Sequence, residues 1–215
     1  MKINKEFEQK VIASIVAGEI TLFPLLVNTF HTQLYNVGRV YGYTHKDARE
    51  LIRNTFVGSY QNLEKKERKF SFKVWIIRLM LKNCDRKKME KIRNIKWRII
   101  DGWEDNLDEN FTVAKESSPD FLKILDGLPL DYRLVFTLKE ILEMNTLETA
   151  EILDISSFKV RVRLYKAKKT IKERFGSSSY PKKLYSLKKE NSFLVEEIMS
   201  QIAQIRLNPD NLSQN

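Results

Sequence analysis

Apolar residues recur every three to four positions along most of this 215-residue chain, and that period decides its fold class. Leu22, Leu26, Phe30, Leu34, Val37 and Tyr41 form one such stripe, the buried side of an amphipathic helix. Seven Gly and five Pro leave few places to interrupt the pattern, so an all-α chain is expected. The period predicts helices over 7–19, 21–43, 45–63, 72–98, 120–129, 130–144, 146–154, 156–175 and 190–207. Thr44 is placed to cap the third, with Asp47 in its first turn. Asn145 and Glu148 have capping-box spacing at 146–154.

Charge divides the chain further. Lys and Arg number 38 against 28 Asp and Glu, a net +10 that favours a polyanionic partner. Residues 82–98 carry net +6 and 99–120 carry net −6. The acidic stretch lacks periodicity and contains Gly102 and Pro119, so 99–119 reads as a linker. The expected organisation is two small helical domains, 7–98 and 120–175, the acidic linker 99–119 between them, and a C-terminal extension, 176–215. The apolar stripe Leu194, Ile198, Ile202, Ile205 in the extension must bury, on the chain itself or on a regulator.

The sharpest charge step lies at 148–169. Glu148, Glu151 and Asp154 precede six basic residues with no acid among them. Two short helices meeting at Asp154–Ser156 suggest a helix-turn-helix. Ala150 is small where the second helix would pack. Asp154 tolerates the left-handed conformation such a turn needs. Ile155, Val160 and Leu164 continue a buried stripe. Ser157, Phe158, Arg161, Val162, Tyr165 and Lys166 then face outward, with Lys159 and Arg163 beside them, as candidates for the DNA major groove. In this reading the acid-bearing helix sits away from DNA as support.

Other chemistry is poorly provided for. Cys84 is the only cysteine, and His31 and His45 lack metal-ligand spacing. No P-loop, GxSxG or paired nucleophile and base is present, so neither an enzyme nor a metal or cofactor site is expected. The charged start MKINKEFEQK and the absence of a long apolar run make a cytoplasmic protein the default expectation. Phe72 and Trp75 read as core.

The run LPLDYRLVFTLKEILEMNTLETAEILDISSFKVRVRLYKAKKTIKERF, 128–175, resembles region 4 of bacterial sigma factors, above all the extracytoplasmic-function class. LYNVGRVYGYTHKDARELIRNTFVGSYQNL is similar to regions 2.1–2.2. FSFKVWIIRLMLKNCDRKK is similar to regions 2.3–2.4, with Ser71, Phe72, Trp75 and Arg78 in place. The resemblance implies a sigma factor that binds core RNA polymerase through the β′ clamp and the flap, reads −35 DNA with the helix-turn-helix, and melts the −10 element with region 2. It implies polymerase contacts at Asp47, Glu50, Arg53 and Asn54; the family favours an acidic or Gln-Glu pair at the last two positions. It implies −10 contacts at Lys69, Ser71, Arg78, Lys82, Asn83, Arg86, Lys87 and Lys88. It also implies an anti-sigma factor as regulator. The alternative is a helix-turn-helix regulator that works without polymerase.

Overall fold

The computed structural model describes residues 5–66, 69–84, 113–114, 125–175, 186–187 and 192–207. It is built of helices, as the period requires. Helix α1 (Lys5–Val16) leads through a 3-10 turn at Ile20–Leu22 into α2 (Phe23–Tyr41). Helix α3 (His45–Gln61) and a second 3-10 turn, Leu63–Lys65, precede α4 (Phe72–Asn83). The second bundle holds α5 (Leu130–Phe136, extended by a π-helical turn at Thr137–Ile141), α6 (Thr146–Leu153) and α7 (Ser157–Phe175). Helix α8 (Ser192–Leu207) follows in the extension. A two-residue antiparallel bridge, Val113–Ala114 with Ser186–Leu187, joins the expected linker to the extension.

Local chemistry sets the helix ends. Helix α2 stops at Gly42, whose φ of 114° is a left-handed cap open to glycine. The Thr44 side chain accepts the Asp47 amide at 3.1 Å and starts α3. Ser71 accepts from Val74 at 3.3 Å and starts α4. Asn145 and Glu148 form the full capping box, each bond 2.9 Å long.

The first bundle closes on Phe23, Leu26, Leu34, Ile52, Phe56, Phe72, Ile76 and Met80, all fully buried. Gly38 lets three helices approach here. A Cβ at that position would lie 3.3 Å from the Met80 methyl and 3.5 Å from Ala48 Cβ. Phe136, Leu138, Val160, Ala167 and Ile171 fill the second bundle. The two bundles are in contact, α4 on α6 and α2 on α5. The extension packs on the chain itself: Leu194, Ile198 and Ile202 are fully buried and α8 lies against α2 and α3.

Two expected helices differ. The helix drawn over 72–98 ends at Asn83, and Cys84 takes extended backbone, φ −72° and ψ 120°. Its thiol is buried beside Tyr43, and burial pushes it up to about 12, so it is an inert core group. The helix drawn over 130–144 ends at Ile141. The π-helical turn precedes Glu143 at φ 52°, and the chain is turned there before α6 begins.

Candidate nucleic-acid interface

The helix-turn-helix forms as its residues require. Asp154 is left-handed, φ 53° and ψ 50°, and its amide closes α6 on the Ala150 carbonyl. The Ser156 hydroxyl accepts the Lys159 amide at 3.3 Å and its carbonyl accepts that of Val160 at 3.1 Å, which starts α7. Val160 is fully buried and Leu164 packs half-buried against the core. That anchoring turns the opposite side of α7 outward. Phe158 is 66 % exposed and Tyr165 69 %, and Lys159, Arg161 and Lys166 are exposed with them. Ser157 and Val162 are half-buried at the edges of this face. Exposed aromatics cost solvation unless something covers them, and guanidinium and ammonium groups beside them suit phosphates and base edges.

Arg163 differs from the rest. Its guanidinium pairs with Asp131 at 2.6 Å and is only 24 % exposed, so it braces α7 against α5. Lys168 similarly pairs with Glu140 at 2.8 Å. Sequence reading passed over Lys169 and Lys172, which are exposed and extend the Arg161–Tyr165 face along α7. Their spacing of four and seven residues from Tyr165 carries that signal.

In the first bundle Lys69, Lys82 and Asn83 are exposed, and Ser71 and Arg78 are half-buried. Arg86, Lys87 and Lys88 lie outside the described residues. Phe72 is core, and Trp75 packs half-buried against it, ring centroids 5.6 Å apart. The start of α4 is held by a residue that sequence reading missed. Buried Glu8 of α1 accepts the Phe72 amide at 2.7 Å. Burial raises the Glu8 carboxyl above its usual range, while the Phe72 amide and the Lys66 ammonium pull it back. Lys66 in turn donates to the Phe70 carbonyl at 2.6 Å, which shapes the loop ahead of α4.

On α3, Glu50 and Asn54 are exposed while Asp47 and Arg53 are half-buried. The neighbouring Arg49 is occupied: it pairs with Glu197 of α8 at 3.2 Å and lies 4.5 Å over the Phe193 ring. At the head of α3 the Tyr35 hydroxyl is hydrogen-bonded to His45 Nδ1. Burial, helped by Arg39, lowers His45 to about 4, so its ring is neutral near pH 7. His31 donates from Nδ1 to the carbonyls of its own helix at 3.1 Å. Among the described residues no group of His, Cys, Asp and Glu side chains is arranged to hold a metal ion, and no helix is long and apolar enough to cross a membrane.

Residues 119–171 match the family described as Sigma-70, region 4. The chain is 23 % identical over 178 residues to the ECF RNA polymerase sigma factor SigW of Bacillus subtilis (strain 168), covering 77 % of this chain and 95 % of that protein. Among solved structures it is similar to CnrH in complex with the cytosolic domain of CnrY, at 20 % identity and a TM-score of 0.60, over 80 % of this chain and 99 % of CnrH. It is also similar to the sigma factor RpoE, in complex with the anti-sigma factor NepR from Bartonella quintana, at 16 % identity and a TM-score of 0.53, over 73 % and 98 % of the two chains. The helix-turn-helix seen here lies in the segment that the Sigma-70, region 4 match spans, and over most of its length the chain is similar to a sigma factor of the extracytoplasmic-function class.

Proposed function

We propose that the chain is a sigma factor that binds core RNA polymerase and directs promoter-specific initiation. The observation that carries this reading is the divided face of α7: Val160 is locked in the core while Arg161, Tyr165 and Lys166 stand exposed on the outward side. In this reading α7 reads the −35 element, with Ser157, Phe158, Lys159, Arg161, Val162, Tyr165 and Lys166 toward the groove. Arg163 contributes through its brace to Asp131. Lys69, Ser71, Arg78, Lys82 and Asn83 of the first bundle, with Arg86, Lys87 and Lys88, take the −10 strand. Bases extruded during melting are captured there, which offsets the cost of unpairing them. Asp47, Glu50, Arg53 and Asn54 of α3 meet the polymerase clamp. All bond-making belongs to the polymerase, and the chain itself supplies binding in the cytoplasm.

Both solved relatives were captured with a protein partner, one of them an anti-sigma factor. That supports a regulator of the same kind for this chain. Run-off transcription with core polymerase on genomic fragments tests the function, with transcript ends mapped. The expected result is a set of transcripts that require the added chain and share two upstream elements. A chain that shifts duplex promoter DNA tightly without polymerase, and never supports a transcript with it, is instead a self-sufficient regulator.

A further inference from the structure

Helix α1 holds an acid where an apolar residue is expected. Glu8, Val11 and Ile15 lie three and four positions apart, on the side that α1 buries in the first bundle. Enclosing a carboxylate there costs desolvation, which the Phe72 amide and the Lys66 and Lys5 ammoniums offset in part. Starting α4 does not by itself require that cost, because Ser71 already caps the helix locally through the Val74 amide. What Glu8 adds is a fixed point outside α4. Its Oε1 accepts the first amide of the helix at 2.7 Å, from an element sixty-four residues earlier in the chain.

The turn at 69–72 that leads into α4 is held at its other end too. Lys66 Nζ donates to the Phe70 carbonyl at 2.6 Å, and the Phe70 side chain is buried. Lys69 Nζ lies 4.6 Å and Arg78 Cζ 5.8 Å from the centre of the Phe70 ring. Three residues assigned to the −10 strand therefore depend on this turn. Lys69 and Ser71 belong to it, and Arg78 rests on its aromatic ring. A strand that meets an ordered turn does not spend binding energy on ordering it, and side chains held in one geometry select bases more sharply.

We infer that Glu8 is a positioning residue for −10 recognition: from α1 it holds the 69–72 turn in the arrangement that lets Lys69, Ser71 and Arg78 meet the strand together. The inference rests on the assignment of α4 to −10 DNA made above. Glu8 acts through the Phe72 amide and, being enclosed, touches no nucleic acid itself.

The test measures the preference of the holoenzyme between two single-stranded oligonucleotides by fluorescence anisotropy. One carries the −10 sequence found by run-off transcription, the other the same bases scrambled. Glu8→Ala leaves the Phe72 amide without its acceptor. It should weaken binding of the −10 oligonucleotide roughly tenfold. The scrambled one is held by phosphate contacts that carry no sequence information, so it should change by less than about twofold. Glu8→Gln keeps an acceptor oxygen at the same reach and should recover the preference to within about threefold of the parent. Lys66→Ala frees the Phe70 carbonyl and should lower the preference in the same direction. Affinity for core polymerase, assigned to α3, should stay within about twofold of the parent, and circular dichroism should show helix content retained.

A purely structural role for Glu8 lowers the folded fraction, which weakens both oligonucleotides and polymerase by one factor and leaves the preference unmoved. That outcome overturns the inference. Should Glu8→Ala lose its helix content, Lys66→Ala decides alone, and a preference equal to the parent's overturns the inference. A parent holoenzyme that prefers neither oligonucleotide removes the assignment of α4 to −10 DNA, and the inference with it. A parent that discriminates, beside a Glu8→Ala chain that discriminates equally, leaves that assignment standing and removes the inference alone.

Discussion

Helices α4 and α7 share a design and differ in what they leave open. Each carries a buried apolar stripe and basic side chains beside it. On α7 the polar face is open, with Phe158 and Tyr165 about two-thirds exposed. On α4 the corresponding side is engaged, with Arg78 on Glu151 and Lys73 on the Leu142 carbonyl. The difference lies in the neighbours. Among the described residues α7 packs mainly on α5 and α6, whereas α4 is packed by α3 and by α6. Basic residues along a helix are therefore an incomplete guide to nucleic-acid binding, because a second domain of the same chain can satisfy them first.

The largest effect expected separates the two faces of α7. Val160→Asp buries an unpaired carboxylate at a fully enclosed site and should destabilise the second bundle by more than about 4 kcal/mol in urea denaturation. Its exposed neighbour provides the contrast. Arg161→Ala should leave stability within about 0.5 kcal/mol of the parent. It should weaken −35 binding by about 1–3 kcal/mol in titrations of holoenzyme with promoter fragments. Equal damage from both substitutions would erase the division on which the groove assignment stands.

Asn145→Ala should cost about 1 kcal/mol, since the capping box starts the helix that meets α4. The loss should appear in denaturation of the second bundle. Lys82 is exposed at the end of α4. Lys82→Ala should lower the salt slope of promoter binding by about one without altering the preferred −10 sequence. A changed sequence preference with an unchanged slope would move Lys82 from phosphate to base.

The first bundle also carries a pH dependence that the second does not share through this group. His45 is held neutral, lowered to about 4 from the ordinary 6.5 by burial and then Arg39. The unfolded chain therefore binds the extra proton more readily than the folded one. The stability tied to His45 is full above about 6.5 and is lost as pH falls toward about 4. Denaturation of the full chain at pH 7 and pH 4.5 should show the first bundle losing stability, and His45→Gln should flatten that loss.

Much of this architecture is readable in the sequence because its determinants are local. The Thr44–Asp47 cap, the Asn145–Glu148 box and the left-handed Asp154 each operate within a single turn. The buried position of Val160 follows from helical period alone. What escaped the sequence is long-range. Glu8 caps a helix sixty-four residues away, and no spacing rule connects them. The break at Cys84 comes without a Gly or Pro to mark it, at a residue whose thiol is buried beside Tyr43. The role of Glu151 is of the same kind. Its charge is plain in the sequence, but Arg78, its partner, belongs to another bundle.

Permanganate footprinting on a promoter fragment, with the full chain added alone and then together with core polymerase, tests the central claim most directly. The account predicts that the chain alone leaves the −10 thymines unreactive, and that polymerase makes them reactive and adds protection over the −35 element. Reactive −10 thymines with the chain alone, or an unprotected and unmelted promoter in the presence of polymerase, would contradict it.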